Sequence, residues 1–296
     1  MEIIKKSFGT HDGTFHADEV TACAFLLLYK LIEKDKIFRT RDATTLSVCE
    51  YVCDVGGVFE PKTKRFDHHQ KEYAGDLSSA GMVLSYLKNQ AYMDEHLYDH
   101  FNKNLVKSID AHDIGKIEES KACFSQLISS FLPIDYNSSI QEKNEAFLKA
   151  VEFSYGFLHR MQDRFFYTSR CLDKVKEQMK TKKKYLVFEE SMPWLDAFFE
   201  LEGEKHPAVF VVMPTGNHWK LRGIPPDSNS RMMVRIPLPI EWAGLSRDEL
   251  KEVSKIKGAI FCHKGRFISI WETKEDALKA LKYVLKKSGV DYGNDL

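Results

Sequence analysis

The sequence has no excess charge of either sign: its 296 residues include 43 Lys and Arg against 43 Asp and Glu. That balance excludes a protein that coats duplex nucleic acid or an anionic membrane through bulk charge, while leaving room for a local anion site. No apolar run approaches the roughly 18 residues that a membrane-crossing helix requires. The longest, Ala22–Tyr29, reads as part of a buried helix. The opening residues, Met1-Glu2-Ile3-Ile4-Lys5-Lys6, are not followed by the apolar stretch of a signal peptide. The six cysteines form no Cys-x-x-Cys pair, and a chain of this length needs no disulfide staples. Reduced thiols in a cytoplasmic protein without membrane contact are therefore expected. No internal repeat or low-complexity stretch is present.

Hydrophobic residues make up 43% of the chain and aromatics 12%, enough for a substantial core and against wholesale disorder. The length predicts one large domain or two of ordinary size. The zero net charge hides an asymmetry: residues 1–140 carry 16 basic and 21 acidic side chains, residues 141–296 carry 27 and 22. The two halves are expected to do different jobs.

The patterning predicts an α/β first half and a smaller α+β unit at the end. Ile3–Gly9 reads as a strand and Asp18–Glu33 as a helix with acids in its first turn. Ile37–Thr40 and Glu50–Val55 read as strands, the second stopped by Gly56-Gly57. Val58–Phe66 contains a hairpin-like turn and runs into Asp67-His68-His69. Strands and helix at these spacings predict a mostly parallel sheet, whose active loops lie at the carboxyl ends of its strands. Residues 79–170 are mainly helical in period. The basic run Lys174–Lys184 reads as a solvated helix end. Beyond it, Tyr185–Glu189, Ala208–Met213, Trp219–Ile224, Ala259–Cys262 and Arg266–Trp271 read as strands, and Trp194–Leu201, Arg247–Ser254 and Lys274–Lys287 as helices. The expected division is 1–135, a helical connector at 136–183, and 184–296.

Four segments crowd His with Asp or follow Asp with glycines: His11-Asp12-Gly13-Thr14-Phe15-His16-Ala17-Asp18-Glu19, Asp54-Val55-Gly56-Gly57, Asp67-His68-His69 and Asp110-Ala111-His112-Asp113. Each follows an apolar segment. Imidazole with carboxylate is a ligand set for Mn²⁺, Zn²⁺ or Fe²⁺, and two such ions bridged by a carboxylate activate water and steady phosphoryl oxygens. One Asp-His-His alone is more often a surface turn. Four clusters in order within about a hundred residues are not so easily dismissed.

The order H-x4-H-x-D, D-V-G-G, D-H-H, D-x-H-D resembles the DHH phosphoesterase superfamily. With Arg65-Phe66-Asp67-His68-His69-Gln70, Ser78-Ser79-Ala80-Gly81, Arg235-Ile236-Pro237-Leu238-Pro239 and Gly258–His263, it resembles the MYG1 family over nearly the whole chain. The resemblance implies a DHH-type catalytic domain with a mostly parallel sheet and a smaller α+β substrate domain. It implies a metal-dependent phosphodiesterase, with 3′–5′ exoribonuclease activity attributed to eukaryotic members. Carried over position by position, His11 and His16 hold one metal, Asp18 the second, Asp54 bridges both, His68 and Asp110 complete the second site, and His69 meets the phosphate or leaving oxygen. His16 stands where the usual motif has Asp, with one extra residue after His11. That exchange shifts the expected metal from Mg²⁺ toward Mn²⁺ or Zn²⁺, with Mn²⁺ foremost.

Other residues carry two readings each. His112 and Asp113 either orient a ligand imidazole or cap a helix; Asp12 does likewise or simply forms a turn. Ser79 either meets phosphate or, with Ser78, caps a helix. His96 and His100 have metal-binding spacing on a helix, but a solvated face is the simpler reading. The resemblance also makes the basic C-terminal unit the substrate side. There His263-Lys264-Gly265-Arg266 is the first anion candidate, followed by Arg222 and Arg235, whose guanidinium forks suit phosphate. Trp219 reads as core or as a base-stacking platform. The expected partner is a short single-stranded RNA or oligonucleotide, with homo-oligomerisation left open. An inorganic pyrophosphatase or small-nucleotide phosphatase, and a non-catalytic nucleotide-binding module, are the alternatives.

Overall fold

The structure is a computed structural model and describes residues 2–117 and 123–291. It divides into two compact units, Met1–Phe165 and Phe166–Leu296, rather than the three segments expected. The connector 136–183 coincides almost entirely with one 41-residue helix, Ile140–Lys180, whose first part belongs to the first unit and whose last part belongs to the second.

In the first unit, β1 (Ile4–Thr10), β2 (Ile37–Arg39), β3 (Cys49–Cys53), β4 (Phe59–Glu60) and β5 (Arg65–Phe66) form one sheet in the order β2-β1-β3-β5-β4. The first four strands in that order run parallel, and β4 pairs antiparallel with β5. Lys6 takes a left-handed conformation (φ 59°) within β1, and the β1–β3 register shifts between Ile4 and Phe8. That bulge lets the second half of β1 pair cleanly on both sides.

α1 (Ala17–Leu28) follows β1 and is buried along Ala17–Leu26, an apolar run from Ala22 onward preceded by the buried acids Asp18 and Glu19. It packs with α3 (Ser79–Asn89) and with α5 (Lys107–Asp113) around Phe8, Phe15, Phe25, Phe66, Phe101 and Phe147. α2 (Ala43–Val48) is a short helix between β2 and β3, capped by Asp42, whose carboxylate accepts N–H bonds from Thr44 and Thr45. α4 (Glu95–Phe101) leads into α5 through a π-helical stretch, Asn102–Val106. α6 (Phe124–Ser129) and α7 (Ile140–Lys180) complete the helical part. No helix among the described residues is long and apolar enough to cross a membrane, and none of the cysteines forms a disulfide.

The second unit has β6 (Tyr185–Val187), β7 (Phe210–Thr215), β8 (His218–Gly223), β9 (Ala259–Cys262) and β10 (Ile268–Trp271) in the order β6-β7-β8-β10-β9. Only β6–β7 is parallel. α10 (Lys274–Lys287) packs on this sheet over Trp242, Trp271 and Leu281, with the two indoles 5.5 Å apart edge to face. α8 (Trp194–Glu200) and the end of α7 bury Leu186, Val211 and Phe198 in a second cluster. α9 (Arg247–Ser254) lies against β9.

The site depends on how tightly α3 meets α5. A Cβ placed on Gly81 would stand 2.2 Å from Asp110 Oδ2. Gly81→Ala is therefore expected to cost about 1–3 kcal/mol, read as a lowered urea midpoint at constant slope.

Candidate metal centre

The parallel strands deliver their carboxyl ends to one edge of the first sheet. The loop 11–16 follows β1, residues 40–42 follow β2, 54–57 follow β3, and 67–69 follow β5. Three overlapping groups of donors gather there, the ligand atoms of each lying within 4.8 Å of one another: His11, His16, Glu19 and Asp54; Asp54, Asp67, His68 and His69; and His16, Asp18 and Asp113. Asp54 and His16 each belong to two groups.

Asp54 is buried and its backbone is left-handed (φ 56°), a conformation that costs a non-glycine residue about 1–3 kcal/mol. Its N–H donates to Phe66 O at 3.0 Å, which ties β3 to β5 where the strand ends. The strained turn aims one carboxylate at three imidazoles. Oδ2 lies 3.1 Å from His11 Nε2, and Oδ1 lies 3.3 Å from His69 Nδ1 and 3.7 Å from His68 Nδ1. Burial, opposed by the His11 bond and reinforced by the charge of Glu19, holds this carboxyl above its ordinary range.

His11 and His68 are each held by a bond at the other ring nitrogen, and His69 by Asp67 at the same Nδ1 that faces Asp54. His11 Nδ1 accepts the Gly13 N–H at 3.2 Å, which leaves the Nε2 proton between Asp54 and Glu19, the latter 3.2 Å away. Burial would lower the His11 pKa, but its bonds to Asp54 and Glu19 outweigh burial and raise it to about 9. His68 donates from Nε2 to Asp113 Oδ2 at 3.1 Å, and its Nδ1 is buried with no hydrogen-bond partner. This carboxylate–imidazole pair with an open nitrogen is the arrangement that presents histidine to a metal. Burial opposes protonation of His68 and Asp113 favours it, with a net rise. His69 Nδ1 meets Asp67 Oδ1 at 2.8 Å, and the Asp67 carboxylate also accepts N–H bonds from His69 and Gly57. The His69 side chain is 61% exposed and lines the pocket over these donors.

Asp18 is fully buried and neither of its oxygens has a hydrogen-bond partner. Burial first, then the charges of Asp54, Glu19 and Asp113, push its carboxyl well up. A buried carboxylate beside other carboxylates, with no donor, is costly unless a cation joins it. With His16 and Asp113 it forms a nitrogen–oxygen donor group whose make-up fits a divalent ion.

The other expected site residues are placed as follows. Asp110 lies outside the three groups. Its Oδ1 accepts from the N–H and hydroxyl of Ser78 and from the Gly81 N–H, fastening α5 to the start of α3, while Oδ2 is buried without a partner. Burial raises its pKa to about 6 against those bonds. Ser79, expected to meet phosphate, is corrected: it is fully buried and donates to Phe66 O at 2.8 Å, joining α3 to β5. His112 and the pair His96 and His100 join none of the groups.

In the second unit, Arg235 is corrected as an anion site. Its guanidinium donates to the carbonyls of Pro225, His206, Ala208 and Gly203 at 2.6–3.1 Å and stacks on Phe198, so its fork is spent on the backbone. In the β9–β10 turn, the Gly265 N–H donates to His263 Nδ1 at 2.9 Å instead of pointing outward, and the left-handed residue is Arg266 (φ 56°). Lys264 is left exposed there. Arg222 is half-buried beside the Phe267 ring, and Lys220 shares its sheet face. Burial and a neighbouring cation lower the pKa of each.

Sequence reasoning missed Glu19, Asp67 and Lys220. Glu19 looks like an ordinary capping residue and does accept the His16 N–H at 3.0 Å, so only its proximity to His11 reveals a second use. Asp113, read beforehand as orienting an imidazole or capping a helix, bonds to His68 Nε2 at 3.1 Å and also belongs to the group with His16 and Asp18.

Comparisons with known proteins agree with the motifs. The model of an "uncharacterised protein family (UPF0160)", named for MYG1 exonucleases, matches residues 7–285. The chain is 46% identical over 289 residues to the MYG1 protein of Chlamydia muridarum, covering 97% of this chain and 99% of the relative. It is 31% identical over 320 residues to the MYG1 exonuclease of Rattus norvegicus, covering 94% and 84%. Among solved structures it is similar to manganese-bound RecJ of Thermus thermophilus, at 13% identity and a TM-score of 0.30, covering 95% of this chain and about half (52%) of RecJ.

With its pKa raised to about 9, His11 carries at pH 7 a proton that a divalent ion held by the His11, Asp54 and Glu19 donors would displace. Calorimetric titration of the metal-free protein with Mn²⁺ at pH 7, in buffers of different ionisation enthalpy, is expected to show release of about one proton or more. His11→Ala should reduce that release.

Proposed function

This chain belongs to the MYG1 exonuclease family, and from that premise we propose that it is a divalent-metal-dependent phosphodiesterase that shortens single-stranded RNA or oligonucleotides from the 3′ end. The observation that carries this reading is Asp54: one buried carboxylate on a strained turn, shared by two groups of donors. In this reading His11, His16 and Glu19 with Asp54 hold one Mn²⁺, and Asp54, His68 and Asp18 hold a second, with Asp110 as the remaining candidate through its open Oδ2. Divalent cations held there supply Lewis-acid activation of water and neutralisation of phosphoryl charge.

The chain's own groups do the rest. Asp113 fixes the His68 ring so that its lone pair faces Asp54. Asp67 holds the His69 ring through Nδ1, and in the doubly protonated imidazole Nε2 would give its proton to the oxygen leaving phosphorus or donate to the phosphoryl group. Within the second unit itself, Lys220, Arg222, Lys264 and Arg266 are the candidate phosphate-binding cations. His263 and Gly265 shape the turn that carries two of them.

The test is turnover of a 5′-labelled oligoribonucleotide as Mn²⁺ is titrated. A ladder of products shortened one nucleotide at a time from the 3′ end is expected. Asp54→Asn should lower kcat at least about 10²–10³-fold, and full activity in that variant would sink the proposal. Phosphate release from pyrophosphate without oligonucleotide cleavage would favour a pyrophosphatase using the same residues.

A further inference from the structure

The pocket over these donors, about 400 Å³, is lined by His11, His16, Asp54, Asp67 and His69, by loop backbone, and by one arginine, Arg41. Arg41 lies just beyond β2, between Thr40, whose hydroxyl accepts the Asp42 N–H at 3.0 Å, and the Asp42 cap of α2. Its acidic neighbour, Asp12, stands 3.6 Å from Nε with both side chains substantially exposed. Such a rim pair holds the guanidinium loosely.

Arg39, two residues earlier, is the contrast. It is buried, donates to Gly13 O and to Asn144 Oδ1, and stacks over Phe147 and Phe15 at 5.0 and 5.6 Å. Arg39 is committed to holding the loop that carries His11 and His16. Arg41 has its planar fork of donors left for a ligand.

A Cβ placed on Gly13 would lie 3.4 Å from His11 Nδ1 and 3.7 Å from Arg41 Nη2. The Arg41 guanidinium thus reaches the Gly13 turn beside the Nδ1 edge of His11, whereas Asp54 meets Nε2 on the opposite edge. Elsewhere in the pocket lining, Gly56 and Gly57 are left-handed (φ 98° and 66°), and nothing lies within 4 Å of a Cβ placed on either. An extended chain can pass over such a wall. A guanidinium offset from the reacting centre, in an otherwise acidic and imidazole-lined pocket, is suited to a planar oxyanion fork.

We propose that Arg41 grips a phosphate of the substrate strand other than the one being cut, and so selects phosphodiester chains over compounds with a single phosphate. This rests on the phosphodiesterase reading above. The test compares wild type, Arg41→Lys and Arg41→Gln in three measurements. The first is anisotropy of a labelled phosphorothioate oligoribonucleotide with Mn²⁺ present, as a function of salt. The second is turnover of an oligoribonucleotide against bis(p-nitrophenyl) phosphate, and the third is Mn²⁺ affinity by calorimetry.

Arg41→Gln is expected to weaken strand binding about tenfold and to reduce the salt slope by about one, with Arg41→Lys between it and wild type. Its loss of kcat/KM on the oligoribonucleotide, mainly in KM, should exceed its loss on the single-phosphate diester at least about tenfold. Its Mn²⁺ affinity should match wild type. Equal losses on both substrates, an unaltered strand affinity and salt slope, or a changed Mn²⁺ affinity would each overturn the assignment. A wild-type protein that binds the strand without cutting it refutes the phosphodiesterase reading, and the anisotropy series still decides Arg41. A wild-type protein that binds no strand overturns both.

Discussion

Accumulated negative charge out of water is the constraint on which the first unit depends. Asp18, Glu19, Asp54 and Asp67 are all buried at the carboxyl edge of one sheet, and Asp113 adjoins them. Burial, and then the charges of their neighbours, raise the carboxyls of Asp18 and Asp54, and like charges this close oppose folding. The fold answers in part with imidazoles: His11 sits between Glu19 and Asp54, and His68 reaches Asp113 and approaches Asp54. The answer is incomplete at Asp18, whose two oxygens meet no donor. A chain that needed only stability would place an amide or an apolar residue there. Keeping the carboxylate makes sense if a cation completes it.

Sheet topology turns scattered motifs into one site. Parallel strands put every following loop on the same edge, so segments separated by some forty residues converge without a long-range search for partners. The left-handed turn at Asp54 then rotates one carboxylate toward the loops on both sides. That strain is retained because neighbouring bonds over-determine it: the Asp54 N–H is held by Phe66, and the Gly57 N–H by Asp67. Ser79 and Arg39 belong to this same framework, bracing Phe66 and Gly13.

Much of the fold was legible because its signals are local. α9, β9 and α10 end where caps, glycine and apolar period place them, and the His and Asp clusters stand out as polar residues at strand ends. What was not legible depends on partners far along the chain. Ser79 reads as a hydroxyl near a helix start, and only the fold shows it spent on Phe66. Arg235 reads as a phosphate fork, yet four carbonyls of its own unit consume it. The partition of the chain was hidden for a different reason. Continuous helical period marks α7 clearly, but no turn residue marks the point at which packing passes from one unit to the other.

Arg39 and Arg41 carry the same limit to its sharpest form. They are two residues apart, so strand alternation assigns both to one face. β2 ends at Arg39, however, which pairs with Thr10 and stays in register with β1. Thr40 still bonds back to Thr10 O, but the Asp42 cap then turns the chain into α2. The periodicity stops between the two arginines, and they part: Arg39 goes onto the Phe15 and Phe147 rings, Arg41 to the rim of the pocket. One guanidinium becomes framework and the other remains available, although their residue type and spacing would assign them the same role. Function in this chain is therefore decided less by which charged residues it contains than by which of them the fold leaves without a partner.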